Sequence, residues 1–372
     1  MAPRLFCLLK HIRPSSRLNK SELANIQQRS TLLKPAATFG ISNRRYLGNK
    51  FKLFDFIKSV VNTHCQNVEV VADLFAGTGA VAYGFSDNKA VITNDILYSN
   101  FICNYAWLSP EKFRSKYILN KIAEYNEVKV NATNYMSRNF SDTYFSKNDC
   151  KRIGFIRDDI EQKYKSGEMN FKEKSILVMT LIYAMDRIAK TCGHYDAYRK
   201  NVEFDEHLEM KAPDLRSHNN PNNQCYNEDI NTLVSKIDCD LLYLDPPYNS
   251  RQYCDAYHLL ENVAQWKKPK LEGVAKKMDR SSLKSEYCTK NASKAFENLI
   301  QNAKSRYILL SYNNMKEKGN DRSNARISDD DILRILRNKG VVQIFEQKYK
   351  AFSTGKSDIQ DNKERLFLCT CV

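Results

Sequence analysis

Residues 68–79 read VEVVADLFAGTG. The first eight form a short apolar, β-branched run with the composition of a buried strand. Gly77 and Gly79 then break it, because glycine can adopt backbone angles and close approaches that other residues cannot. The Ala/Val-rich stretch from Ala80 can start a helix whose free N–H groups face a ligand. Working outward, AVITN (90–94) reads as a second strand ending at Asp95, and Tyr98–Leu108 has helical spacing. Strand–helix–strand–helix alternation predicts a doubly wound α/β sheet. Asp95 stands at the tip of the second strand, where a carboxylate can accept both hydroxyls of a ribose. The pattern therefore predicts an adenosine-containing ligand. Gly77 to Ala82 also fits a G-x-G-x-x-A dinucleotide fingerprint, so a dehydrogenase, or a tight turn with no ligand, stays open at this point.

On the N-terminal side, Phe51–Asn62 has apolar residues at helical spacing. On the C-terminal side the rhythm stops. Residues 110–225 contain helical stretches such as 174–189 and polar loops such as SHNNPNN (217–223), which reads as an inserted, largely helical lobe. The strand LLYLD (241–245) resumes the alternation. RYILLSY (306–312) predicts another strand and Asp329–Lys339 a helix. VVQIFE (341–346) and ERLFLCTC (364–371) predict a terminal pair that can run antiparallel.

The composition of the 372 residues narrows the function classes. With 42% hydrophobic residues, 21 Tyr and 18 Phe, the chain can bury a sizeable core. It contains no run of 18 apolar residues, so no membrane span is expected. Eleven cysteines without a C-x-x-C pair, and six histidines without H-E-x-x-H, point away from a disulfide scaffold and from a metal enzyme. The net charge of +15 suggests a polyanionic partner. That charge is uneven: +10 over 1–54, −5 over 55–261, +7 over 262–306 and +3 over 307–372. Residues 1–42 are set apart from the fold as a basic extension. An organellar targeting segment, an arm on phosphates and an upstream start codon all fit it.

A second motif decides between the ligands. LLYLDPPY (241–248) ends an apolar strand in an acid, two prolines and an aromatic. Pro246 and Pro247 fix φ and remove two N–H donors, leaving rigidly aimed carbonyls. Asp245 and a proline carbonyl can accept both hydrogens of an exocyclic amine, while Tyr248 stacks on the base that carries it. The adenine amine is a poor nucleophile because its lone pair is delocalised into the ring. Two acceptors favour a more tetrahedral nitrogen, whose lone pair can reach an electrophilic methyl. A dehydrogenase gives this motif no task.

Together these motifs resemble the N6-adenine DNA methyltransferases, specifically the Dam-like alpha group and the modification methylases of type II restriction systems. The matching pieces are RRYLGNK (44–50), DLFAGTG (73–79), ITNDI (92–96), YNEDIN (226–231), DPPYNSRQY (245–253), YHLLENVAQW (257–266) and ILLSYNN (308–314), with GHYDAYR (193–199). The resemblance implies S-adenosylmethionine as methyl donor and a seven-stranded, mostly parallel Rossmann-like sheet. The catalytic core would comprise 43–109 and 226–372, with 110–225 as target-recognition insertion. Tyr46 and Lys50 would lie along the cofactor. Phe75, Gly77 and Gly79 would form the methionine-side loop, Asp95 would hold the ribose, and Asp229 would contact the cofactor adenine. Asp245 would stand between cofactor and target, with Pro246, Pro247 and Tyr248 completing the base pocket. Tyr46 departs from the relatives that carry Trp there.

Double-stranded DNA is the expected partner, with the target adenine flipped into the pocket. Lys267, Lys268, Lys270, Lys276, Lys277 and Arg280 are candidates for phosphate contact. Arg251 belongs to the loop after the catalytic motif, and Arg199 is a candidate for reading bases. The family implies a bacterial cytoplasmic, nucleoid-associated monomer, with a cognate restriction endonuclease acting on the same site. Transfer to RNA or to a protein amide, and a non-catalytic nucleic-acid-binding module, are the alternatives.

Overall fold

The alternation of the sequence resolves into a seven-stranded sheet in the computed structural model, which describes residues 38–199, 201–204, 207–313, 325–348 and 363–372. The strands are β1 (Val70–Asp73), β2 (Ala90–Asn94), β3 (Gln224–Tyr226), β4 (Cys239–Leu244), β5 (Ser305–Asn313), β6 (Gly340–Lys348) and β7 (Lys363–Cys371). Their order is β3-β2-β1-β4-β5-β7-β6. The first five pair in parallel, with Val71 opposite both Val91 and Leu241. Strand β7 runs antiparallel between β5 and β6. The terminal strands thus form the expected antiparallel pair, and the later strand takes the inner place. β3 has only three residues, none of them buried, and carries too little pattern to be read from sequence.

The strands alternate their side chains between two cores, as the two-residue period of a strand requires. Val71, Leu241, Tyr243, Leu309, Leu366 and Leu368 enter one core. Ala72, Leu242, Leu244, Ile308, Leu310 and Phe367 enter the other. Burial on both faces explains the continuous apolar runs of β1 and β4.

The helices are α1 (Phe54–His64), α2 (Ala80–Phe85), α3 (Tyr98–Leu108), α4 (Ser115–Glu127), α5 (Tyr135–Asn139), α6 (Lys147–Lys165), α7 (Phe171–Ile188), α8 (Ile230–Leu233), α9 (Tyr253–Ala256), α10 (His258–Gln265), α11 (Ala292–Asn302) and α12 (Asp329–Arg337). Helices α8, α11 and α12 cover one face of the sheet through Leu233, Phe296 and Ile332. α1 and α3 cover the other, and α7 packs on α3. α7 is buried nearly all round, which is why its middle, Ile176–Met185, is almost wholly apolar. Its Lys172 ammonium donates to the Tyr105 and Ser109 carbonyls at the end of α3. The inserted segment 110–225 therefore shares its hydrophobic core with the sheet's own helices. Phe39 and Ile41 are buried in that core as well, so it begins ahead of residue 43. Residues 1–37 of the basic extension lie outside the described residues. Among the described residues no helix is long and apolar enough to cross a membrane.

Candidate active site

β1 delivers the chain to Asp73 at the top of the sheet, and the loop that follows turns on Gly77 (φ 52°) and Gly79 (φ 78°). A side chain is strained at both positions by the positive φ, and at Gly79 it also clashes. A Cβ on Gly77 would stand 3.0 Å from the Tyr46 ring, and one on Gly79 would stand 2.2 Å from Asn104 Oδ1. Asp95, at the tip of β2, accepts the Gly77 N–H at 2.9 Å through Oδ2 and the Leu97 N–H at 2.9 Å through Oδ1. Burial pushes its carboxyl up to about 6 against the pull of these N–H groups. Each oxygen keeps a lone pair for a further donor.

Tyr46 lies over this loop. It stacks on Tyr257 with ring centroids 4.6 Å apart, and its hydroxyl accepts from Asn100 Nδ2 at 3.0 Å. The Tyr257 hydroxyl accepts the Leu47 N–H at 2.7 Å. The segment ahead of α1 is thereby tied to the α9–α10 corner, the YHLLEN part of the sequence.

β4 ends at Leu244 and places Asp245 beside the Lys50 ammonium, which stands 3.2 Å from Oδ1. The same ammonium donates to Glu364 Oε1 at 2.8 Å. Burial pushes the Asp245 carboxyl up to about 6; Lys50 pulls it down and Glu364 pushes it up. Lys50 is held well above the usual lysine range despite its burial, because two carboxylates face it. Pro246 is buried and Tyr248 half-buried. The Tyr248 ring meets Tyr312 edge-on at 6.3 Å, and its carbonyl accepts the Arg326 N–H at 2.8 Å.

Both motifs open into one cavity of about 580 Å³. Tyr46, Lys50, Phe75, Gly77, Asp95, Asp229, Asp245 and Pro247 line it, so most of the residues expected along cofactor and target converge there. Gly79 supports the loop from behind. Asp229 has two roles: its Oδ1 accepts the Thr232 N–H at 3.0 Å as the cap of α8, and its side chain borders the cavity.

The opposite wall was not legible in the sequence. It comes from residues 282–298, within the segment assigned to phosphates on charge alone. Gln252 grips this wall with both ends of its amide: Nε2 donates to the Ser285 carbonyl at 3.1 Å, and Oε1 accepts the Ser285 N–H at 2.8 Å. Tyr287 meets Phe75 edge-on at 4.9 Å and donates to Asn231 Oδ1 at 3.0 Å.

The basic candidates divide into two sets. Lys268 pairs with Asp158, Lys277 with Asp196 and Asp255, and Arg280 with Asp255, so these cations act mainly within the fold. Lys267, Lys270 and Lys276 are exposed and have no ion pair among the described residues. Arg251 is exposed beside the catalytic loop. Arg199 is exposed where the Thr191–Tyr198 bridge ends, and its N–H donates to the Lys190 carbonyl at 3.0 Å. The loop carrying Arg199 is anchored by Tyr195, which donates to Asp186 at 2.8 Å and, through its N–H, to the Ala256 carbonyl at 2.7 Å.

The cavity suits S-adenosylmethionine. Six carboxyl side chains (Asp73, Asp95, Glu228, Asp229, Asp245 and Glu286) border it, a polar lining fit for a cationic sulfonium and a ribose, and among the described residues Asp73 Oδ1 and the Tyr243 hydroxyl are buried there without a hydrogen-bond partner. Among the described residues no group of three or more His, Cys, Asp or Glu is arranged to hold a metal ion. A parallel sheet with an antiparallel end, a glycine loop and an Asp-Pro-Pro-Tyr strand exit sharing one cavity define a class. The chain belongs to the D12 class N6 adenine-specific DNA methyltransferases, whose family pattern matches residues 46–322. Enzymes of this class use S-adenosylmethionine.

Named relatives agree. The chain is 34% identical to modification methylase StsI of Streptococcus sanguinis, over 86% of its own length and 50% of that protein. It is 31% identical to type II methyltransferase M.FokI of Planomicrobium okeanokoites, over 87% and 52%. With type II methyltransferase M.NlaIII of Neisseria lactamica it shares 29% identity over 86% and 95%. The chain thus spans about half the length of the first two relatives and nearly all of the third.

Proposed function

We propose that the protein transfers a methyl group from S-adenosylmethionine to N6 of adenine in double-stranded DNA, at a specific sequence and after flipping the base. The observation that carries this reading is Asp245, at the end of β4, beside Lys50 and in the same cavity as the glycine loop.

The cofactor, when bound, supplies an electrophilic methyl. Everything else falls to the protein. Asp95 would take the ribose through its free lone pairs, and Tyr287, beside Asp229, would flank the adenine. Asp73 and Asp245 would face the sulfonium end of the cavity. Asp245 and the Pro246 carbonyl would accept the two N6 hydrogens, and Tyr248 would stack on the extruded base. The proton lost from N6 would pass to Asp245.

Lys267, Lys270, Lys276 and Arg251 would hold phosphates, and the loop anchored by Tyr195 would present Arg199 to base edges in a target-recognition role for 110–225. Similarity to type II modification methylases supports a bacterial cytoplasmic enzyme paired with a restriction endonuclease of the same specificity.

Tritiated methyl transfer to duplex DNA and to RNA, followed by nucleoside analysis, tests the reading. N6-methyladenine in duplex DNA is the expected product. Label in RNA alone, or full activity in Asp245→Ala, would overturn it.

A further inference from the structure

Glu364 belongs to neither motif, yet it reaches the catalytic centre. It enters from β7, 314 residues along the chain from Lys50. Because β7 is inserted next to β5, Glu364 lies opposite Asn313 on one side and Gln347 on the other. Its Oε1 accepts from the Lys50 ammonium at 2.8 Å and from Ser311 Oγ at 2.6 Å. Lys50 is 8% exposed and Glu364 7%. One buried ammonium thus bridges two carboxylates, Glu364 and the Asp245 Oδ1 at 3.2 Å.

Among the described residues, the remaining charged and titratable groups facing Asp245 are Asp73 from β1, Tyr243 from β4, Tyr248 from the strand exit and Tyr253 from α9. Those facing Glu364 are Lys50 and Tyr248, with the Ser311 hydroxyl beside them. Among the described residues Lys50 is the cation paired with both carboxylates.

The proposed reaction sets two demands on Asp245. It must be ionised to hold the N6 hydrogens, and it must afterwards take a proton. The N6 lone pair forms the new C–N bond, the electron pair of the broken C–S bond stays on sulfur, and the N6 proton passes to the Asp245 carboxylate and on to solvent. An ammonium given wholly to Asp245 would satisfy the first demand and weaken the second. We propose that Glu364 is a positioning residue for this reaction. It anchors Lys50 and divides the ammonium between two carboxylates, so that Asp245 remains an effective proton acceptor. This inference rests on the methyltransferase reading above.

The test is the pH dependence of kcat for tritiated methyl transfer to duplex DNA. Glu364→Gln gives the whole ammonium to Asp245, and the acid limb should move down by about one pH unit. Lys50→Met should move it up. Ser311→Ala leaves Lys50 as the donor to Glu364, draws the ammonium away from Asp245, and should also move the limb up. It reads the same contact should Glu364→Gln fail to fold, as checked by thermal melting. An acid limb unmoved in a folded Glu364→Gln, or in Ser311→Ala should the first not fold, would overturn the role of Glu364. A wild-type chain inactive on duplex DNA would instead overturn the functional reading itself, so the two failures are distinguishable.

Discussion

Gly77 donates its backbone N–H to Asp95 Oδ2 at 2.9 Å, so the carboxylate at the tip of β2 also shapes the glycine loop after β1. Replacing it should damage cofactor binding in two ways, by removing a ribose acceptor and by releasing the loop. Asp95→Ala should weaken S-adenosylmethionine binding by about tenfold to a hundredfold, the range for lost hydrogen bonds to a charged group. Isothermal titration calorimetry measures it, and unchanged affinity would refute the assignment.

The loop itself makes a paired prediction. Gly79→Ala meets Asn104 Oδ1 at 2.2 Å and must also hold φ at 78°. Gly193→Ala must hold φ at 96° but meets nothing within 4 Å. Gly193→Ala should cost about 1–2 kcal/mol, the ordinary penalty of a left-handed residue. Gly79→Ala should cost more, and urea denaturation of the two variants separates the clash from the backbone cost.

Asp73 predicts an unusual pH dependence of stability. Burial, helped by the nearby Asp245 and opposed by the Ala82 N–H, pushes its carboxyl up to about 8. The folded state therefore holds a proton that the unfolded chain, with an ordinary carboxyl near 3.8, has given up. Stability from this group is fully present below the unfolded value and is lost as pH rises through 8. Asp95 and Asp245, each pushed up by burial to about 6, act in the same direction at lower pH. Melting temperature should fall from pH 5 to pH 9, and Asp73→Asn should flatten the upper part of that fall. A wild-type melting curve that rises across the window would contradict it.

Salt dependence distinguishes the two sets of basic residues. Replacing Lys267, Lys270 and Lys276 together with Gln should reduce the slope of log K against log salt by about 2.7, if each lysine meets one phosphate. Lys277→Gln and Arg280→Gln break pairs with Asp196 and Asp255, and should lower melting temperature with little change in slope. Fluorescence anisotropy with a duplex at several salt concentrations provides the measurement.

Local pattern carried much of this protein. The β1 run, the glycine turn and the prolines after β4 are each short, contiguous signals, and they place the sheet and the side of the cavity built from its strand ends. What escaped depends on pairings between distant segments. β3 has three residues and no apolar pattern. Glu364 reads as a polar residue starting a strand, and only the insertion of β7 beside β5 brings it to Lys50. The segment after residue 262 looked like one basic surface. Acids far away in sequence neutralise part of it, and another part folds back as the cavity wall. Charge counted along a chain cannot reveal which cations have already found partners.

The double grip of Gln252 on Ser285 ties the loop after Asp245 to the 282–298 wall of the cavity. Gln252 follows the loop that would clasp the target base, and Ser285 belongs to the wall across the cofactor. On the proposed function, a cofactor passing that wall would strain the same two bonds that steady the loop, so Gln252→Ala would loosen the hold on cofactor and on target base together.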